Sequence, residues 1–217
     1  MIHDKDMREP LFFYLEEKLG KCRIFEEKVI GKARADLMLV LPEEIWGLEI
    51  KSDADNYSRL SDQVTEYDRY FDRNLVVVGS RHASHIAEHV PDYWGILSVE
   101  YLPEEEQFDF YLLRQPKENP HRTMKRKMSL LWRPELAHIQ AIHGMPALKN
   151  LSKLHVRNRI IEEIPQEILQ TDISNELFER DYSSIQDEIN CFRTENGRKP
   201  RQKRSVKKRK YRPKFKN

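Results

Sequence analysis

Apolar residues recur along this chain first at helical spacing, then in short alternating or continuous runs, and return to helical spacing only after about residue 130. Over Met7–Leu19 the positions Leu11, Phe12, Tyr14, Leu15 and Leu19 form one stripe, with Pro10 in the first turn and Gly20 closing the run, which predicts an amphipathic helix. Cys22–Ile30 alternates weakly up to Gly31 and predicts a strand. Two apolar-rich runs, 34–41 and 45–51, then flank a polar break and predict a β-hairpin whose core side is provided by Trp46 and the Leu37–Leu41 positions. If Leu41–Glu44 is its four-residue loop, Asp36 falls opposite Glu49, and Glu49 and Lys51, two residues apart, share that face. A slip of one residue would turn Asp36 to the other side.

Asp53–Ser58 offers several capping side chains, and Tyr57, Leu60, Val64, Tyr67 and Phe71 predict a helix over 57–72 in which Gln63 and Tyr67 are surface neighbours. Leu75–Gly79 is a continuous apolar run, the pattern of a strand buried on both faces and reached by a crossover. A short helix is expected over His82–His89, and a second hairpin from Tyr93–Glu100 and Phe108–Arg114. His82, His85 and His89 share spacing that could be imagined as a metal face, but no carboxylate pattern completes a zinc site.

Beyond residue 115 no strand pattern continues. Prolines and polar residues mark 116–129 as a linker. Helices are expected from near Pro134 to Gly144, from Leu154 to Ile164, and over 172–192 with Ile173, Leu177, Tyr182 and Ile185 as an intermittent apolar face. The expected organisation is therefore an α+β domain over 1–115, the linker, a small helical region over 130–192, and a tail over 193–217.

Charge sharpens that division. Residues 1–120 hold 15 Lys+Arg and 25 Asp+Glu, whereas residues 121–217 hold 23 and 11. The last 20 residues carry 12 Lys+Arg and no acid, a density at which like charges repel and the segment is expected to be disordered in isolation. Its natural partner is a polyanion: Lys203, Arg204, Lys207, Lys208, Arg209 and Lys210 would neutralise phosphates, with Tyr211 and Phe215 available for base stacking. Hydrophobic content is only 39% of 217 residues and mean hydropathy is −0.78, in keeping with a surface-rich chain. The two cysteines, Cys22 and Cys191, stand far apart and indicate neither a zinc site nor a disulfide framework. With no apolar signal core at the amino terminus and no run near the roughly 20 apolar residues of a membrane span, the expectation is a cytoplasmic, nucleoid-associated protein with no membrane partner.

Asp36, Glu49 and Lys51 supply the candidate chemistry. Two carboxylates a few ångström apart repel unless a cation lies between them, and hard oxygen ligands select Mg²⁺ or Mn²⁺. A nearby lysine can orient or deprotonate a water, or stabilise charge developing on a phosphate. The plainer alternative is a salt bridge on a charged edge strand.

Four blocks taken together carry a family resemblance: Arg34-Ala-Asp36; Gly47-Leu-Glu49-Ile-Lys51-Ser-Asp53; Tyr70 to Gly79 with Arg81-His82 behind it; and Val90-Pro-Asp-Tyr-Trp-Gly-Ile96. In these the first 115 residues resemble the PD-(D/E)XK nuclease superfamily, most closely its MmcB-like DNA-repair group. The resemblance implies a restriction-endonuclease-like core, a mixed central sheet flanked by helices, with Asp36 and Glu49 as metal ligands and Lys51 as a catalytic residue. Gln63 and Tyr67 match the Gln-x-x-x-Tyr motif of the RecB-like branch, where it supports the site. Superfamily members also use an acid from the first helix or the following strand. Glu9, Glu16, Glu26 and Glu27 compete for that place, Glu9 being favoured because it begins the helix. The motif's usual Pro-Asp opening is Ala35-Asp36 here. Residues 130–164 loosely resemble a SAP-type DNA-binding element, with Glu135-Leu136 in its first helix, Gly144 at the turn and Lys153–Ile164 as its basic second helix.

The leading expectation is a Mg²⁺- or Mn²⁺-dependent DNA nuclease of repair, recombination or phage DNA processing, acting alone, as a homodimer or with a recruiting protein. The alternatives are a catalytically inactive DNA-binding adaptor of the same fold and an RNA-associated binding protein.

Overall fold

The computed structural model describes residues 3–148 and 150–180, together with Thr194. Helix α1 (Asp4–Leu19) is followed by strands β1 (Arg23–Ile30), β2 (Ala33–Val40) and β3 (Ile45–Lys51), helix α2 (Leu60–Tyr70), and strands β4 (Arg73–Gly79), β5 (Gly95–Leu102) and β6 (Gln107–Arg114). A short α3 (Met124–Lys127) leads to α4 (Arg133–Ile142), α5 (Lys153–Glu163) and α6 (Gln166–Glu179). The six strands form one sheet in sequence order. β1–β2–β3 pair antiparallel, β3–β4–β5 parallel and β5–β6 antiparallel. This is the expected α+β architecture, a mixed sheet with helices on both faces. The crossover through α2 makes the β3–β4 pair parallel, and β4 is a continuous apolar run because both its faces are covered.

The sheet divides two cores. On one face Met7, Leu11 and Leu15 of α1, spaced one turn apart, cover Leu37, Leu39, Leu48, Ile50, Leu75 and Val77. On the other, α2 and the later helices bury Met38, Val40, Val76 and Val78 with Leu136, Ile139, Val156, Ile160, Ile173 and Leu177. The helices beyond residue 130 thus share one core with the sheet.

The segment 116–129, expected as a linker, packs against α2 instead. The last carbonyls of a helix have no partner inside it, and this segment supplies partners: Asn119 Nδ2 donates to Asp68 O at 2.8 Å and to Phe71 O at 2.7 Å, and the Thr123 amide donates to Arg69 O at 3.1 Å. Prolines mark its irregular backbone, not freedom from the core. Other boundaries also moved. α2 begins at Leu60, after a turn, and 82–89 is mostly turn with a single 3₁₀ turn at Ile86–Glu88. The sixth helix starts directly after Pro165, whose fixed φ suits a helix entry; the expected extension over 181–192 lies outside the described residues, as does the tail.

The hairpin has the expected register. Val40 pairs with Ile45 around the four-residue loop 41–44, and the ladder runs to Leu37↔Leu48. There β2 leaves β3, and its alternation slips: Leu37 and Leu39 face α1, whereas Ala35 joins Met38 and Val40 in the other core. β1 slips at the same level, since Phe25 and Ile30, five apart, share a core and Glu27 between them has φ +55°. Asp36 sits at that break.

Gly47 sets how closely α2 lies on β3. A Cβ there would stand 2.1 Å from Phe71 Cδ2 and 2.7 Å from Tyr67 Cδ1. Gly47→Ala is expected to cost about 1–3 kcal/mol by overpacking, read as a lower urea midpoint at unchanged slope; an unchanged midpoint would show that the rings yield freely.

Candidate active site

The site is assembled by matching two periodicities. Two strand residues advance about 6.6 Å and four helical residues about 6 Å, so side chains at every second position of β3 meet side chains at every fourth position of α2. Gly47 lies under Phe71 and Tyr67, Glu49 meets Tyr67 and Gln63, and Lys51 meets Gln63. Glu49 is 1% exposed and Lys51 5%.

Every polar atom of this row has a partner. Lys51 Nζ donates to Glu49 Oε1 at 2.7 Å and to Gln63 Oε1 at 3.0 Å, and the Gln63 amide also donates to Glu49 Oε1. The Tyr67 hydroxyl lies 2.7 Å from Glu49 Oε2 and accepts from the Asp36 amide at 3.1 Å, with Leu48 O, also 3.1 Å away, as a further acceptor. A buried phenol beside two carboxylates resists ionising: burial, then the charges of Glu49 and Asp36, hold Tyr67 well above the usual range, so it remains a donor to Glu49.

Asp36 completes the group from the splayed end of β2. Its Oδ2 accepts from the Ile50 amide at 2.8 Å, taking the place of the ladder partner that β2 no longer offers. Burial foremost, and the charge of Glu49 next, push its pKa up to about 7, against the lowering effect of the Ile50 amide.

The five expected residues Asp36, Glu49, Lys51, Gln63 and Tyr67 therefore come together. Glu9 does not: it is exposed on α1, and among the described residues it makes no hydrogen bond to the site. The α1 groups whose charges reach Asp36 are Asp4 and Arg8, the latter bound to Asp4 (2.9 Å), Glu26 (3.0 Å) and Glu27 (2.6 Å). Asp4 lies before the helix start expected at Met7, and its i, i+4 spacing to Arg8 is the sequence signal that marks it. His82 is no ligand either, since Tyr57 OH and Ser52 O hold its two ring nitrogens at 2.7 and 3.0 Å. Among the described residues no group of three or more His, Cys, Asp or Glu side chains is disposed to hold a metal ion. Lys203, Arg204, Lys207, Lys208, Arg209 and Lys210 lie outside the described residues.

Fold and site together define an α+β protein of restriction-endonuclease-like architecture, with an acid pair and a lysine gathered where two central strands part. The chain belongs to the family described as Bacteriophage P4 protein cII, whose family model matches residues 12–209. Among solved structures it is similar to SfsA of Pyrococcus furiosus in complex with Ca²⁺, at 15% identity and a TM-score of 0.35, over 52% of this chain and 63% of that one. No curated protein matches the sequence. Among the described residues no helix is long and apolar enough to cross a membrane.

Proposed function

We propose that this protein is a Mg²⁺- or Mn²⁺-dependent deoxyribonuclease that hydrolyses phosphodiester bonds in DNA repair, recombination or phage DNA processing; the last accords with a family described by a phage protein. The observation that carries the reading is the Asp36–Glu49 pair, with Glu49 buried and Asp36 half-buried, beside a single ammonium that contacts only one of the two carboxylates. The donor set fits a hard cation. Mg²⁺ keeps several waters and takes one or two carboxylates plus substrate phosphate oxygens, so two acids suffice.

Asp36 and Glu49 would hold the ion, which when bound supplies Lewis acidity toward a phosphoryl oxygen and lowers the pKa of water. Lys51 contributes a fixed positive charge beside Glu49, placed to stabilise negative charge developing on a phosphate oxygen. Gln63 orients both partners of that ion pair, accepting from Lys51 and donating to Glu49. Tyr67 fixes the other oxygen of Glu49 and, through the Asp36 amide, the splay of β2. These supports set the geometry that hydrolysis needs within tenths of an ångström.

The test is cleavage of labelled single-stranded, duplex and forked DNA with Mn²⁺ or Mg²⁺. Intact protein is expected to cut, and Lys51→Ala to cut at least ~10²-fold more slowly. Equal DNA binding by both proteins with no cleavage by either would replace the enzyme with a DNA-binding adaptor; binding confined to RNA would move the assignment to RNA.

A further inference from the structure

Among the described residues some cations are paired with carboxylates and others are not, and four of the unpaired ones gather on the face of the sheet covered by α2 and the later helices. Arg8, Arg34, Arg69, Arg73, Arg122, Lys127, Arg159 and Arg180 each pair with a carboxylate within 3.2 Å. Lys28, Arg126, Lys153 and Arg157 make no ion pair among the described residues. Glu135 is the carboxylate near Lys28 and Lys153, and it is engaged at both oxygens by Arg180, at 2.5 and 2.7 Å.

The four are neighbours. Lys153 and Arg157 lie one turn apart on α5, about 6 Å between side-chain origins. Lys153 Nζ reaches Ser129 O, 3.3 Å away, in the turn that follows α3. The Arg126 guanidinium of α3 lies 5.9 Å from the centre of the Tyr70 ring, and Arg157 feels both Arg126 and Tyr70. Lys28 senses Arg180 and Lys153 across β1. Arg157 Nε is buried with no hydrogen-bond partner. Burial first, and the neighbouring positive charges after it, lower Lys28 to about 8 and also pull down Lys153 and Arg157. A cluster of cations left to repel one another is costly unless an anion joins them.

The cluster adjoins the acid pair. Lys28 pairs with Ala35, the residue before Asp36, and Ala35 faces the same core as α2. Tyr70 stands three residues beyond Tyr67 on the same helix. Two strand spacings separate β1 from β3, roughly 10 Å, a distance that one strand of nucleic acid crosses in a few nucleotides.

We propose that Lys28, Arg126, Lys153 and Arg157 form a phosphate-backbone track that lays a DNA strand across β1 toward Asp36 and Glu49, independently of the basic carboxyl-terminal segment. The inference rests on the nuclease reading and names how that site takes its substrate. Its contacts are to phosphates, so it positions without reading sequence.

The test is binding, which does not depend on turnover. Full-length Asp36→Asn protein, with and without Lys153→Gln and Arg157→Gln, is titrated against fluorescent single-stranded and duplex DNA over a series of NaCl concentrations. Removing two phosphate contacts is expected to weaken binding about 10-fold near 0.15 M salt and to reduce the slope of log Kd against log salt by about two. Unchanged affinity and slope, in variants whose thermal melting matches the parent, would overturn the track and leave binding to other basic residues. Loss of the DNA slope with no metal-dependent cleavage by otherwise wild-type protein would keep the track and remove the nuclease. No DNA binding by the parent would remove both.

Discussion

Asp36→Asn is expected to abolish metal-dependent cleavage and at the same time to make the metal-free protein more stable above neutral pH. The two effects have one origin. The folded state raises the Asp36 pKa from 3.8 to about 7, chiefly through burial and then through Glu49. A carboxyl raised on folding binds its proton more tightly in the native state than in the unfolded chain. The stability it lends is therefore fully present below about pH 4 and is lost progressively as pH rises through 7. At pH 8 the native protein carries an ionised Asp36 beside Glu49 with no second cation between them. Asparagine keeps the oxygen that accepts from the Ile50 amide and removes the charge.

The gain at pH 8 should be on the order of 1–3 kcal/mol, allowing for water entering the splayed strands. For a protein of this size that is several degrees in Tm. At pH 4 the two proteins should melt together. Mn²⁺ should raise the Tm of the wild type at pH 8 by binding the native state and leave the variant nearly unmoved. Parallel Tm–pH curves for the two proteins would show that Asp36 and Glu49 do not share a poorly solvated site, and the metal proposal would lose its footing.

How much of this was legible in the sequence depends on which residue is considered. The hairpin register from Val40↔Ile45 to Leu37↔Leu48 could be read because a four-residue loop between two apolar runs leaves one pairing that buries both, and the ladder ends one pair short of Asp36 and Glu49. The row of Gln63 and Tyr67 over Lys51 and Glu49 was half legible: the helical spacing was visible, but its match to β3 depends on Gly47, which reads as an ordinary strand residue until Phe71 is seen against it. The slip of alternation at Asp36 was hidden, because it is set by a left-handed Glu27 on the neighbouring strand. Arg180 and Glu135, 45 residues apart, carry no local mark of the buried pair they form. Long-range charge pairing leaves no periodicity behind. The unpaired cations suffer the same concealment in reverse, since only the fold brings Lys153, one turn from Arg157 on α5, within reach of the charge of Lys28 on β1.

The same concealment makes Lys127 the most consequential residue of the segment taken for a linker. Lys127→Ala is expected to destabilise the protein by about 3–5 kcal/mol, the range for breaking a buried ion pair from one side. Lys127 is 1% exposed and Asp72 2%, and Nζ lies 2.5 Å from Asp72 Oδ2. The same oxygen accepts from the Ile45 amide at 2.7 Å, at the start of β3, while the Asp72 carbonyl accepts from Asn119 at 2.8 Å. Burial pulls the Lys127 ammonium below its usual range, and the charge of Asp72 opposes that pull. Removing the amine leaves Asp72 the Ile45 amide and, as its one ion-pair partner among the described residues, Arg122, 3.1 Å from its other oxygen and more exposed. The end of α2, the entry to β3 and the segment over 116–129 would loosen together, and with them the row that orients Glu49. Urea unfolding should show the loss in full. Lys127→Met with Asp72→Asn should recover part of it, because the second change removes the buried charge that the first strands. Equal destabilisation by the single and the double variant would mean that Lys127 acts through packing alone, and that the clasp on α2 is held by Asn119 and Thr123 without it.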